Sequence, residues 1–321
     1  MMGTGQFALP TLLGLYESDH QIVALYTQPD RTGRGHHRHV QPMKETALER
    51  DTPVFQPQNV NAPDSLAELR NLDVDLCVVA AYGQILSADL LEIPRHGAIN
   101  LHASLLPRHR GAAPVQYAIL KGDSETGVTI FRIEPRLDAG PLLDVVRTPI
   151  DAKETAGELE ARLSELAAPL SLQVIDQIES GKSSGVFQDS SAVTRAPRIK
   201  KAFGAIDWCR SAEEIEWHIR AMQPWPTAFT FLEQPDQKSL RLIVLAAEPC
   251  DSQPFNAALS DNAMDERPGQ IIVTDDRRLF VRSGEGSVEI VRLRPEGKGD
   301  MAASEFLRGR SINPNTRMRA E

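Results

Sequence analysis

Gly97-Ala98-Ile99-Asn100-Leu101-His102-Ala103-Ser104-Leu105-Leu106-Pro107 is the stretch on which the fold of this 321-residue chain turns. Gly97-Ala98-Ile99 reads as a short buried strand. Asn100 and His102 are two residues apart, and a strand puts such side chains on one face. Pro107 cannot donate to a ladder, so the chain must leave the sheet by then. Asn100 and His102 are therefore predicted at the C-terminal end of a parallel strand, where open α/β sheets keep their ligands.

The segments on either side agree. Asp75 to Ala81 is almost continuously apolar, as expected of a strand buried on both faces. Residues 21–28 and Val54-Phe55 are further strands, and 42–50 and 64–72 carry helical patterns. Strands alternating with helices indicate a parallel sheet. After Pro107, a helix is predicted from Pro114 to Leu120, then strands over Gly127–Ile133 and Leu142–Ile150, with Asp138-Ala139-Gly140-Pro141 in the turn between them. Glu154 to Glu179 is a helix with Leu159, Leu163, Leu166 and Leu170 as one apolar stripe. Gly181 to Gly185 breaks the pattern, and periodicity is lost up to Lys201.

This places a first domain at 1–185, a linker at 186–205 and a second domain at 206–321. The second begins with Ile206-Asp207-Trp208 and a helix from Ser211, whose Glu214 completes a capping-box signature. Short β-rich runs separated by turns then suggest a small barrel. Residues 251–268 read as a mobile loop.

Three cysteines without metal-ligand spacing favour a reducing, cytoplasmic setting and no zinc. No run of about 18 apolar residues predicts a membrane span, and the first residues lack the pattern of a secretory signal. The net charge of −9 argues against a general nucleic-acid binder. The basic residues are nevertheless concentrated, in Arg31 to Lys44, Arg195 to Lys201 and Arg308 to Arg319. Each is a solvated loop or part of a phosphate-tracking surface.

Asn-x-His at 100–102, Ser104-Leu-Leu-Pro-x-x-Arg-Gly111 and Leu137-Asp-x-Gly140 together resemble the folate-dependent formyltransferases. Within these, Thr27-Gln-Pro-Asp30, Gly33-Arg34-Gly35, Ala81-Tyr82-Gly83-Gln84-Ile85-Leu86, Gly122-Asp-x-Glu-Thr-Gly127, Ile206-Asp-Trp208 and Pro224-Trp225-Pro226 resemble the methionyl-tRNA formyltransferases. The resemblance runs from Gly3 to about Arg319. It implies a Rossmann-like parallel sheet followed by an open, OB-like barrel. The implied activity is transfer of the formyl group of 10-formyltetrahydrofolate to the α-amine of initiator methionyl-tRNA, by a monomer and without a metal.

By that resemblance Asn100, His102 and Asp138 are catalytic, with Asp138 holding a protonated His102. Tyr82, Gly83, Gln84, Ile85 and Leu86, with Ser104, Leu105, Leu106 and Pro107, would line the folate pocket. Arg34, Arg38, Lys44, Arg198, Lys200 and Lys201 would meet tRNA. Phe7 is either near the methionine side chain or an apolar helix residue. Arg110 clamps an acidic group or pairs with a local carboxylate.

The chain departs from the family at Arg136, Ala139 and Pro141, and at its N-terminus, where a short apolar strand is expected before Gly3-Thr4. Loss of that strand would leave neighbouring strands unpaired, so added apolar residues upstream are expected to raise stability. Two other readings share parts of the pattern. One is formyl transfer to a sugar or purine-precursor amine, or hydrolysis of formyl-folate; the other is a catalytically silent tRNA-binding module.

Overall fold

The computed structural model describes residues 1–30, 41–235, 237–250, 267–310, 312–313 and 316–320. The chain forms two compact units: 1–115 with 124–150 and 158–198, and 116–123 with 151–157 and 199–321. Arg34 and Arg38, and all but the end of the 251–268 loop, lie outside the described residues.

The first unit is built on a seven-stranded sheet. In chain order its strands are β1 (Met2–Gly3), β2 (Leu25–Tyr26), β3 (Val54–Phe55), β4 (Cys77–Ala80) and β5 (Ala98–His102), then, after the small strand β6 (Arg110–Gly111), β7 (Glu125–Arg132) and β8 (Leu142–Pro149). The spatial order is β3-β2-β1-β4-β5-β7-β8. The first five are parallel to one another. β7 runs antiparallel to β5, and β8 to β7. The connection from Arg132 to Leu142 is too short for the crossover a parallel pair requires, so these two strands turn back as a hairpin. The sheet is thus parallel with an antiparallel edge, and Asp138 lies at the hairpin's turn.

β4 is buried at every residue, as its apolar run predicts. The N-terminal strand is present but only two residues long. Met2 pairs with both Tyr26 and Val79, and the Tyr26 N–H donates to the Met1 carbonyl at 2.8 Å. These residues pair with Tyr26 of β2 and with Val79 and Ala80 of β4.

The helices are α1 (Leu9–Tyr16), α2 (Pro42–Glu49), α3 (Pro63–Asn71), α4 (Ala88–Leu91), α5 (Pro114–Leu120) and α6 (Ala156–Glu179); α2, α3, α5 and α6 follow the predicted positions, and α1 and α4 were not predicted. The stripe on α6 differs in detail. Leu159 and Leu163 are buried, but the line continues through Ala167, Ser171, Val174 and Ile178, leaving Leu166 and Leu170 partly exposed. α1 packs beside this face: a Cβ on Gly14 would stand in ordinary contact, 3.6 Å from Leu172 and 3.9 Å from Ala168. Between 186 and 198 the chain forms β9 (Arg195–Ala196), which pairs in parallel with β6.

The second unit contains α7 (Ala212–Ala221), whose capping box is formed. Its sheet comprises β10 (Ala228–Glu233), β11 (Leu240–Cys250), β12 (Ile271–Val273), β13 (Leu279–Arg282), β14 (Ser287–Pro295), β15 (Met301–Ala302) and, after α8 (Ala303–Arg308), β16 (Arg317–Arg319). The order is β12-β13-β14-β11-β10-β16. An antiparallel bridge from Gln270 to Arg317 joins the two ends of this order into a nearly closed barrel, which leaves few unpaired edges. Trp208 is buried and donates its indole N–H to Thr230 Oγ1 at 3.0 Å. Trp225 is exposed.

Candidate active site

The ladder on both sides of β5 determines where Asn100 and His102 stand. Asn100 is opposite Val79 on β4 and Phe131 on β7; His102 is opposite Thr129. Alternation puts both side chains on one face at the strand's C-terminal end. Asn100 is half-buried and His102 is buried. The His102 ring meets Phe131 edge-on, with centroids 6.3 Å apart.

His102 Nε2 lies 3.0 Å from the His109 carbonyl oxygen. A carbonyl only accepts, so Nε2 carries the proton and Nδ1 is left for other partners. Two residues further on, the Gly111 N–H donates to Asp138 Oδ2 at 2.8 Å. Imidazole and carboxylate are therefore tied to the two ends of one short segment, 109–111. The expected direct hold of Asp138 on His102 is not made: among the described residues each is anchored to that peptide rather than to the other.

Segment 109–111 is itself gripped by the 186–196 stretch, which the sequence reading treated as linker. The His109 N–H donates to Thr194 Oγ1 at 2.8 Å, the Arg110 N–H to the Thr194 carbonyl at 2.9 Å, and the Ala112 N–H to the Ala196 carbonyl at 2.8 Å. A Cβ on Gly111, whose φ is +134°, would stand 2.4 Å from the Ala196 oxygen. Only glycine lets the two chains approach so closely.

Arg110 is buried and donates from Nε and Nη2 to Gln188 Oε1, at 3.1 and 2.6 Å. Its hydrogen-bonding partner is thus a neutral amide, whereas the sequence reading left it between an acidic ligand and a local carboxylate. Burial lowers its affinity for a proton, as do the Arg136 and Arg195 guanidiniums, with Asp138 opposing them. Arg136, which occupies a position commonly glycine in the family, so adds positive charge around the Asp138 turn. The turn contains Ala139 and Pro141 and closes tightly on β7. Gly140 is what it needs, since a Cβ there would fall 1.8 Å from the Arg132 carbonyl oxygen.

The candidate pocket loops divide by exposure. In 82–86, Tyr82 and Leu86 are buried while Gly83 and Ile85 are exposed. Gln84 is occupied: its Oε1 accepts from the Val60 N–H at 2.8 Å and its Nε2 donates to the Pro57 carbonyl at 3.1 Å. Burial pushes the Tyr82 hydroxyl up to about 12. Gly83 and Ile85 thus present the surface, and the other three build the loop. In 104–107, Ser104 and Leu106 are buried and the Leu106–Pro107 peptide is cis. Thr129 holds this loop, donating to the Ser104 carbonyl at 2.6 Å and accepting from the Leu106 N–H at 3.1 Å. Sequence reasoning missed Thr129 and Gln188. Thr129 lies in a run already explained as strand, and Gln188 in a run with no period.

Phe7 is buried next to α1. Lys44 donates to Asp30 Oδ2 at 2.6 Å and to Gln56 Oε1 at 2.7 Å. Arg198, Lys200 and Lys201 are exposed.

A parallel-dominant sheet followed by an antiparallel, nearly closed barrel is the two-part architecture of a formyl transferase. The formyl transferase family model matches residues 1–175, and that of the formyl transferase C-terminal domain matches 198–311. The chain belongs to the methionyl-tRNA formyltransferase family. It is 39% identical over 315 residues to the methionyl-tRNA formyltransferase of Hydrogenovibrio crunogenus, covering 98% of this chain and 96% of that one. It is 42% identical over 311 residues to that of Methylococcus capsulatus, at 97% and 96% coverage, and 44% identical over 298 residues to that of Pseudomonas syringae pv. tomato, at 92% and 90%. A sugar 3N-formyltransferase crystallised with dTDP and 5-N-formyl-THF shares the fold, with a TM-score of 0.64 at 16% identity over 93% of this chain and 97% of that one. Among the described residues no helix is long and apolar enough to cross a membrane.

Proposed function

We propose that this protein transfers the formyl group of 10-formyltetrahydrofolate to the α-amine of initiator methionyl-tRNA, acting as a cytoplasmic monomer. The reading is carried by the anchoring of His102 and Asp138 at the two ends of segment 109–111, beside Asn100 at the end of β5. Formyl-folate supplies the carbon to be attacked. When the amine lone pair bonds to that carbon, the carbonyl electron pair moves onto oxygen, and the C–N bond to the folate nitrogen then breaks. Asn100 donates its amide N–H to the developing oxyanion. Nδ1 of a protonated His102 is the second donor, the ring being oriented by the Nε2–H bond to His109. Asp138, held at Oδ2 by Gly111, accepts the amine proton at its other oxygen and returns it, directly or through water, to the departing nitrogen. A donor preorganised toward developing charge contributes roughly 3–4 kcal/mol to such a step.

The folate is assigned to Gly83, Ile85 and the 104–107 loop, with Tyr82, Gln84 and Leu86 holding the first of these in shape. Charged tRNA is assigned to Lys200, Lys201 and Arg198, together with Arg34, Arg38 and Lys44. Lys44 must exchange Asp30 for phosphate to take part. Identities of 39–44% to the tRNA enzymes, against 16% to the sugar enzyme, support the tRNA substrate over the amino-sugar one. Incubation with formyl-folate and charged initiator tRNA, followed by measurement of formyl-methionine, tests the proposal. Formylation of an amino-sugar nucleotide in place of the tRNA would overturn it.

A further inference from the structure

We infer that Gln188 is a positioning residue for formyl transfer: its side-chain amide holds Asp138 in register with the segment that anchors both Asp138 and His102. The inference rests on the assignment of Asp138 proposed above. The bridge between Leu142 and Val186, with mutual N–H···O bonds of 2.8 Å, delivers Gln188 to the Asp138 turn. There the amide uses its whole hydrogen-bonding capacity. Nε2 donates to the Asp138 carbonyl at 3.0 Å and the Gly140 carbonyl at 2.8 Å. Oε1 accepts both Arg110 bonds. One side chain therefore joins the backbone that carries the carboxylate to the residue preceding Gly111, whose N–H holds that carboxylate.

The turn requires such a clamp. Asp138 has φ +47°, a left-handed conformation that persists only where its surroundings over-determine it. Glutamine also suits this position better than glutamate. A carboxylate at 188 could keep Arg110 but would set an oxygen against two carbonyl oxygens. It would also neutralise the guanidinium that now faces Asp138 across a neutral amide.

The test is a double-mutant cycle on the full chain, read as kcat and KM for both substrates. Gln188→Met keeps the length and loses all four bonds. It is expected to lower kcat by between about tenfold and a hundredfold, the scale of a misplaced catalytic group, with both KM values within twofold. In an Asp138→Asn background, where there is no carboxylate to position, the same change should cost less than twofold. Gln188→Glu, which can keep the Arg110 pair, carries the same cycle should the Met variant not fold, and should also lose kcat. An equal loss in both backgrounds, or a loss confined to KM, would make Gln188 merely structural and overturn the inference. Near-normal kcat in Asp138→Asn alone would instead remove the assignment of Asp138, and the inference with it. The single variant thus separates the two failures.

Discussion

The end of β5 and the 136–141 turn each deliver one half of the candidate chemistry, and they are held in different ways. Asn100 and His102 sit between two hydrogen-bonded neighbours, so repetitive backbone pairing sets their positions. Asp138 lies in a turn with left-handed φ, held by the side chain of a residue fifty positions away. The first arrangement tolerates side-chain change because the ladder does not depend on side chains. The second does not, because each of its constraints is a single group. Ala81, His109 and Asp138, all in loops of the candidate site, have positive φ.

The largest effect should come from the donors and acceptor themselves. Asn100→Ala and Asp138→Asn are each expected to lower kcat roughly 10²–10³-fold. Only the turn variant should also loosen local structure, seen as faster amide exchange at Gly111. Equal exchange in both would erase the contrast. Next is Gly140→Ala, whose Cβ would overlap the Arg132 carbonyl. It should cost about 1–3 kcal/mol in denaturant unfolding and lower kcat as well, whereas conservative changes on β5 should leave stability intact.

Thr129→Val tests the loop beside β5. Losing two hydrogen bonds should cost about 1–3 kcal/mol and raise KM for folate more than it lowers kcat; an unchanged folate KM would exclude the 104–107 loop from the pocket. Lys200→Ala and Lys201→Ala should each reduce the salt dependence of tRNA binding by about one in slope, with folate kinetics unchanged. The smallest effect serves as a control on α6. Burial pushes the Glu160 carboxyl above its ordinary value. The native state is therefore penalised wherever the unfolded chain would carry the charge. Glu160→Gln should raise the melting temperature at neutral pH, and the gain should vanish as pH falls below the ordinary carboxylate range.

Much of this was legible because it is periodic or local. The apolar run of β4, the two-residue spacing of Asn100 and His102, the stop at Pro107 and the capping box at Ser211 each depend on neighbours a few residues away. The antiparallel turn of β7 and β8 was not deduced, although the short connection implied it. Gln84, expected in the pocket, also braces the loop through Val60 and Pro57. Arg110 was left between an acidic ligand and a carboxylate, and its hydrogen-bonding partner is an amide.

By itself, the sequence determined the alternation of strands and helices, the strand end that bears Asn100 and His102, and the family, since these follow from side-chain period, from proline's missing N–H and from contiguous motifs. Only the tertiary structure decided that His102 and Asp138 meet through segment 109–111, and that Gln188, Thr129 and Thr194 hold the parts together. Those are hydrogen bonds between groups far apart in the chain. A polar side chain in an aperiodic stretch leaves no trace of its partner until the backbone has brought the two within about 3 Å.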